Sequence, residues 1–186
     1  MHSNTQSRIH PHKFALWISM ASIVMMFIAF TSAYIVRQAV GNWLEFPLPS
    51  VFLLSTGVLL LSSFTLHFSL RAFKKADRQK HRLYLVASFV LGIAFVVLQY
   101  KGWMTLFGMG IELTGNPSGS FLYLISGVHA LHIIGGLAAM LVALLHAFSL
   151  PCRPTSRRVV RFELVNHYWH FVDALWIYLL IFLIIQ

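Results

Sequence analysis

Five uninterrupted apolar runs, at residues 14–36, 49–70, 83–103, 121–150 and 162–185, constrain this chain more than any other feature. A helix of about 20 residues, rising 1.5 Å per residue, crosses the roughly 30 Å hydrocarbon core of a bilayer. Each run is long enough. In lipid every backbone N–H and C=O must be paired within a helix or a closed barrel. A barrel would show alternating segments of about ten residues, and these runs are continuous. The expected fold is therefore all-α: a polytopic membrane protein, one membrane domain over residues 1–186, built as a bundle of five transmembrane helices. Composition agrees, with 58% hydrophobic and 10% charged residues, against about 25% charged in a soluble domain. The connections leave no room for a separate soluble catalytic domain.

The formal net charge is nevertheless +9, from 14 Lys and Arg against five acids. The excess is not spread evenly. Residues 1–13 carry two basic residues, the connection at 71–82 six and that at 151–161 four, which leaves Arg37 and Lys101 for the other side. Short cytoplasmic loops are enriched in Lys and Arg, so the N-terminus is expected in the cytoplasm and the C-terminus outside. Trp43 and Trp103 then fall near the outer boundary, where interfacial aromatics collect. Residues 1–12 lack the Arg-rich amphipathic pattern of a transit peptide, and the first run is too long for a secretory signal. A bacterial plasma membrane is expected. Arg71, Lys74, Lys75, Arg78, Arg157, Arg158 and Arg161 are candidate contacts for anionic lipid headgroups, and a belt of this kind calls for no nucleic acid. Cys152 is the single cysteine, so no intrachain disulfide forms. It reads as an interfacial small residue or a palmitoylation site.

Ionisable groups inside spans are costly and usually face the bundle interior. Here they collect in the last two spans: His129, His132 and His146 in the fourth, and Glu163, His167, His170 and Asp173 in the fifth, interleaved with Tyr168, Trp169 and Trp176. His129 and His132 share a helix face, as do His170 and Asp173. Gly135 and Gly136 permit close approach of a neighbouring helix. Depth along antiparallel helices suggests two polar layers. One joins His129 and His132 to His170 and Asp173 at mid-membrane, and the other joins His146 to Glu163 at the cytoplasmic interface. Three readings compete: haem held by two His, a metal held by two His and a carboxylate, and a structural polar network between helices. His67 reads as interfacial, and Gln99 and Lys101 as snorkelling to water.

The string YWHFVDALWIYLLIFLI at 168–184, preceded by Phe162-Glu163, together with GVHALHIIGG at 127–136, resembles subunit III of haem-copper terminal oxidases in order, spacing and intervening length. The resemblance covers the chain in span number and topology, with its sharp motifs between residues 121 and 185. It implies an accessory subunit that carries no haem or copper and no catalytic centre. The haem and copper would belong to catalytic subunit I and to subunit II, the expected partners. It further implies support of proton uptake and stability in the catalytic subunit, bound phospholipid, and room for a larger respiratory supercomplex. By the same resemblance His129, His132, Glu163, His170 and Asp173 match the family's polar residues, and Trp169 and Trp176 its aromatics. Two departures stand out. Mitochondrial-type members have two further spans at the start. The family's usual carboxylate in the span equivalent to the first one here falls at Ile23. A stand-alone transporter or channel and a di-haem membrane cytochrome are the rival functions.

Overall fold

The computed structural model describes residues 11–152 and 154–186, apart from the His12 side chain. Arg8 and Arg153, both counted in the basic belt, lie outside the described residues. Five helices run through the rest: α1 (Pro11–Ala39), α2 (Val51–Lys74), α3 (Arg78–Gly108), α4 (Pro117–Ser149) and α5 (Ser156–Ile185). All five are long and apolar enough to cross a membrane.

Each helix outruns its apolar run at one end or both, and the reason is local chemistry. The basic stretch 71–82 is not a loop. Lys, Arg and Gln are good helix formers, so α2 continues to Lys74 and α3 starts at Arg78. Between them Ala76 adopts the left-handed conformation (φ 56°). The Asp77 N–H then reaches the Ala72 carbonyl at 3.0 Å, the long bond of a Schellman ending. Asp77 caps α3 by accepting the Lys80 N–H at 3.1 Å. That backbone bond, with the Lys80 ammonium 3.3 Å from the carboxylate, holds the Asp77 carboxyl below the usual aspartate range. Its stabilising effect is complete above the pKa of an unfolded aspartate and is lost as pH falls through the lower folded value. Asp77→Ala is therefore expected to lower the melting temperature modestly at neutral pH, and the gap to the wild type should close in acid below about pH 4. A gap independent of pH would refute the capping account. At the other end, Asn116 caps α4 by accepting the Ser118 N–H at 3.0 Å, with Pro117 at the first helical position, where its missing N–H costs nothing.

Helices α2 to α5 close into a ring: α2 packs on α3, α3 on α4, α4 on α5 and α5 on α2, while α1 lies outside it against α4 and α5 only. The α2–α3 pair has a seven-residue repeat. On α2 one row of buried positions is Phe52, Ser55, Leu59, Ser62, Leu66, Ser69 and Phe73, with Ser63, Leu70 and Ala72 buried beside it. On α3 they are His81, Leu85, Ser88, Gly92, Phe95, Gln99, Gly102 and Leu106. Steps alternating between three and four residues make the seam of an antiparallel coiled coil. Every second position on α2 is a serine, each meeting a polar group of α3. Ser62 and Ser88 donate to each other's carbonyls at 2.9 Å. Ser69 donates to the His81 carbonyl at 3.0 Å. Ser55 accepts from the Gln99 amide at 3.2 Å. Gln99 is thus buried between helices and does not snorkel to water, because a hydroxyl stands opposite it. Trp103 also turns inward, donating to Ser126 at 3.0 Å, whereas Lys101 is exposed.

The ends of the helices sort by charge. Lys13 at the start of α1, Lys74 at the end of α2 and Glu163 near the start of α5 meet at one end of the bundle. Arg82 near the start of α3 caps the last turn of α4 there, donating to the carbonyls of Ala147 (2.9 Å) and Phe148 (3.0 Å). The described members of the basic belt therefore share one end.

Candidate functional site

The polar residues of α4 and α5 are positioned by the large rings around them. Trp169 is fully buried and lies between two glycines. A Cβ on Gly136 would stand 2.9 Å from its ring, and one on Gly92 would stand 3.0 Å from the ring's far edge. Gly136 permits the close approach read from the sequence; Gly135 is exposed, with only the Tyr168 hydroxyl nearby. The Tyr168 hydroxyl donates to the His132 carbonyl at 3.1 Å, and the Trp176 indole donates to Thr56 of α2 at 2.9 Å.

His129 is completely enclosed. Its ring stacks on Trp176 at 5.0 Å and meets Phe95 of α3 and Phe27 of α1 edge-on. Among the described residues neither ring nitrogen has a hydrogen-bond partner. His132, nearly one turn along, donates from Nδ1 to the Val128 carbonyl at 2.7 Å, with Phe27 against its ring. His129 thus belongs to aromatic packing with α1, α3 and α5, and His132 to packing with α1.

His170 and Asp173 do share a face of α5, but that face turns to α2. His170 packs against His67 with ring centroids 6.0 Å apart. Asp173 lies beside Ser63, with one carboxylate oxygen unpartnered among the described residues. The expected mid-membrane layer between α4 and α5 does not form: the depths match, but the helices are rotated so that the two sets of polar groups look in different directions. His67, expected at the interface, is half-buried inside this second seam.

The expected His146–Glu163 pair is absent for the same reason. Glu163 is held by Lys13 at 2.9 Å and Lys74 at 2.8 Å, on the side of α5 away from α4. His146 instead lines a cavity of about 240 Å³ with Cys152, Arg158, Arg161 and Phe162. Arg158 also donates to the Pro151 carbonyl at 2.7 Å, tying down the α4–α5 connection. Arg71, Lys75, Arg78 and Arg157 are exposed. Both lysines around Glu163 are partly exposed, so the clamp is worth about 1 kcal/mol or less. Glu163→Gln should lose that amount in detergent unfolding at low salt, and the deficit should shrink at high salt. A deficit that salt leaves untouched would show that Glu163 acts through packing.

Among the described residues, no three His, Cys, Asp or Glu side chains gather closely enough to hold a metal ion. The arrangement is two polar seams, α2–α3 and α2–α5, and an aromatic cage around His129. The parts missed from the sequence are His67, Ser63, Lys13 and Lys74 as neighbours of α5 residues. A signal for them exists: Lys74 to His67 and Glu163 to His170 are both seven residues apart, as one antiparallel register requires.

Comparison with known proteins places these helices in company. The profile of the family described as cytochrome c oxidase subunit III matches residues 5–185. A probable cytochrome c oxidase subunit 3 of Mycobacterium tuberculosis is 33% identical over 187 aligned positions, covering 92% of this chain and 89% of that protein. Its counterpart in Nocardia farcinica is 32% identical over 167 residues, covering 87% of this chain and 80% of that one. The cytochrome c oxidase subunit 3 of Rattus norvegicus is 31% identical over 138 residues, covering 74% of this chain and 49% of the rat protein.

Proposed function

The chain belongs to the cytochrome c oxidase subunit III family, and from that premise we propose that it is a non-catalytic accessory subunit of a proton-pumping haem-copper terminal oxidase. The observation that carries the reading is the family match from residue 5 to residue 185, over a chain whose described length is nearly all membrane helix and short connection. Haem and copper then reside in the partner subunits I and II. This chain supports proton uptake by, and stability of, the catalytic subunit, and binds phospholipid. Its basic end, gathered around Lys13, Lys74 and Arg82, faces the cytoplasm of a bacterial plasma membrane, following the excess of Lys and Arg in cytoplasmic loops. The exposed arginines and lysines there, with Arg161 at the mouth of the α4–α5 cavity, attract anionic headgroups. The polar residues of α4 and α5 serve the bundle: His129 fills an aromatic cage, and His170 and Asp173 join α5 to α2.

The test is purification of the tagged chain from its native membrane in mild detergent, followed by an absorption spectrum. The expected result is recovery with haem-bearing subunits, and loss of the haem bands when the chain is stripped away from them. A chain recovered free of any oxidase subunit, or a Soret band that stays with the isolated chain, would overturn the proposal.

A further inference from the structure

Six polar side chains are buried with a nitrogen or oxygen that no described residue hydrogen-bonds: Ser63 on α2, Gln99 on α3, His129 on α4, and Asn166, Trp169 and Asp173 on α5. None is more than 5% exposed. A buried polar atom left without a partner forfeits its hydration, and folded proteins leave few such atoms. Acyl chains cannot supply the missing bonds. The positions are not scattered. All four helices of the ring contribute, and the side chains fall into two groups.

The first group lies between α5 and α2. Asn166, Trp169 and Asp173 recur at three- and four-residue steps and so share a face of α5. Asp173 sets that face beside Ser63. The Trp169 ring gives the same direction. Its Cε3 lies against Gly136 of α4 and its Cη2 against Gly92 of α3. Nε1, on the opposite side of the indole from Cε3, turns away from α4, toward the side that α2 closes. Along α5 this one N–H lies between the oxygens of Asn166 and Asp173. The second group lies between α3 and α4. Ser88 meets Met140 and Trp103 meets Ser126, and the antiparallel register of these pairs brings Gln99 level with His129. Phe95, one turn before Gln99, touches the His129 ring. Gln99 gives its amide N–H to Ser55, which leaves Oε1 unpaired, and an imidazole carries at least one N–H.

We propose that the interior of the four-helix ring binds ordered water at both places: two molecules or more along Asn166, Trp169, Asp173 and Ser63, and one bridging Gln99 Oε1 and His129. Water is the ligand this chemistry selects, because it donates and accepts at once. One molecule takes the Trp169 N–H and gives its own protons to neighbouring oxygens. A metal ion would take the oxygens and leave the N–H unpaired. Asn166 and Asp173 stand about 10 Å apart along the helix, and one water spans two hydrogen bonds, about 6 Å, so a single molecule does not reach both. Bridging waters hold buried polar groups nearly as well as direct bonds do. Asn166 lies one turn from Glu163, whose two lysine partners are partly exposed, so the first group begins close to bulk water.

The test is water-edited solid-state NMR on the full chain, isotope-labelled at tryptophan, histidine and leucine and reconstituted in bilayers of deuterated lipid. Magnetisation started on water is expected to reach the Trp169 indole N–H and the His129 ring severalfold faster than the Leu85 methyls. Leu85 is equally buried, but it lies in the α2–α3 seam, where the serine hydroxyls bond protein. Trp169→Phe identifies the indole signal by its loss. A Trp169 signal that builds up no faster than Leu85 overturns the first site, and a His129 signal of that kind overturns the second. Asn166→Leu combined with Asp173→Leu removes the oxygens on both sides of the indole and should slow its transfer to the Leu85 rate. Fast transfer that survives both changes overturns the placement. The wild-type comparison decides the presence of water whether or not the double variant folds.

Discussion

Trp169→Ala should cost the isolated chain about 3–5 kcal/mol, the range for emptying a fully buried aromatic site. The indole is wholly enclosed, and on two sides it meets the backbone of a glycine. Gly92 and Gly136 bring α3 and α4 so close that even a Cβ at either would press on the ring, at 3.0 and 2.9 Å. Main chain cannot collapse into the space as flexible side chains can, so most of the cavity term persists. The driving force between membrane helices is packing, not water exclusion, which makes lost dispersion contacts the main loss. The converse change, Gly136→Val, should cost about 1–3 kcal/mol by overpacking. Reversible unfolding in mixed detergent would measure both. A Trp169→Ala deficit below about 1 kcal/mol would mean that the three helices close over the gap, and the account of the glycines would fail with it.

The second large effect is expected at the α2–α3 seam. Ser62 and Ser88 are completely buried and donate to each other's carbonyls. Two properties of serine could matter there: its hydroxyl and its small size. They separate by substitution. Ser88→Ala keeps the size and removes the hydroxyl, and interhelical hydrogen bonds in membranes average only about 0.6 kcal/mol. Ser88→Leu keeps neither and forces a branched side chain between two backbones, at about 1–3 kcal/mol from overpacking alone, with Met140 also displaced, whose sulfur accepts from Ser88 at 3.6 Å. The leucine variant should therefore lose severalfold more than the alanine variant. Equal losses would assign the seam to hydrogen bonding.

The number of helices, the collection of basic residues at one end and the close approach at Gly136 are all legible in the sequence, because hydropathy, charge and glycine placement are one-dimensional signals. Rotation about the helix axis was not. Depth alone put His170 and Asp173 level with His132, and His146 level with Glu163. Spans that are apolar on every side carry no mark of which face looks inward, so the true partners of His170 and Glu163, namely His67 and Lys74, stayed hidden. Gln99 misled for a related reason: a polar residue near a span end reads as reaching for water unless the hydroxyl of Ser55 opposite it is known. The seven-residue repeat of Ser55, Ser62 and Ser69 was open to inspection in the sequence and would have predicted the α2–α3 seam. The registry between α2 and α5 required both helices to be laid side by side.

The outlying position of α1 has a consequence for how the molecule comes into being. Its two neighbours, α4 and α5, leave the ribosome after α2 and α3. Helix α1 is thus made before α2 and α3 yet cannot be seated until helices made after them arrive. Until α4 is inserted, α1 has none of its packing neighbours beside it and is tethered only by the connection to α2. The lysine at its start finds its counter-ion, Glu163, only when α5 has begun to follow α4 out of the ribosome. The clamp therefore forms, within one ion cluster, only once α1, α2 and α5 have all arrived.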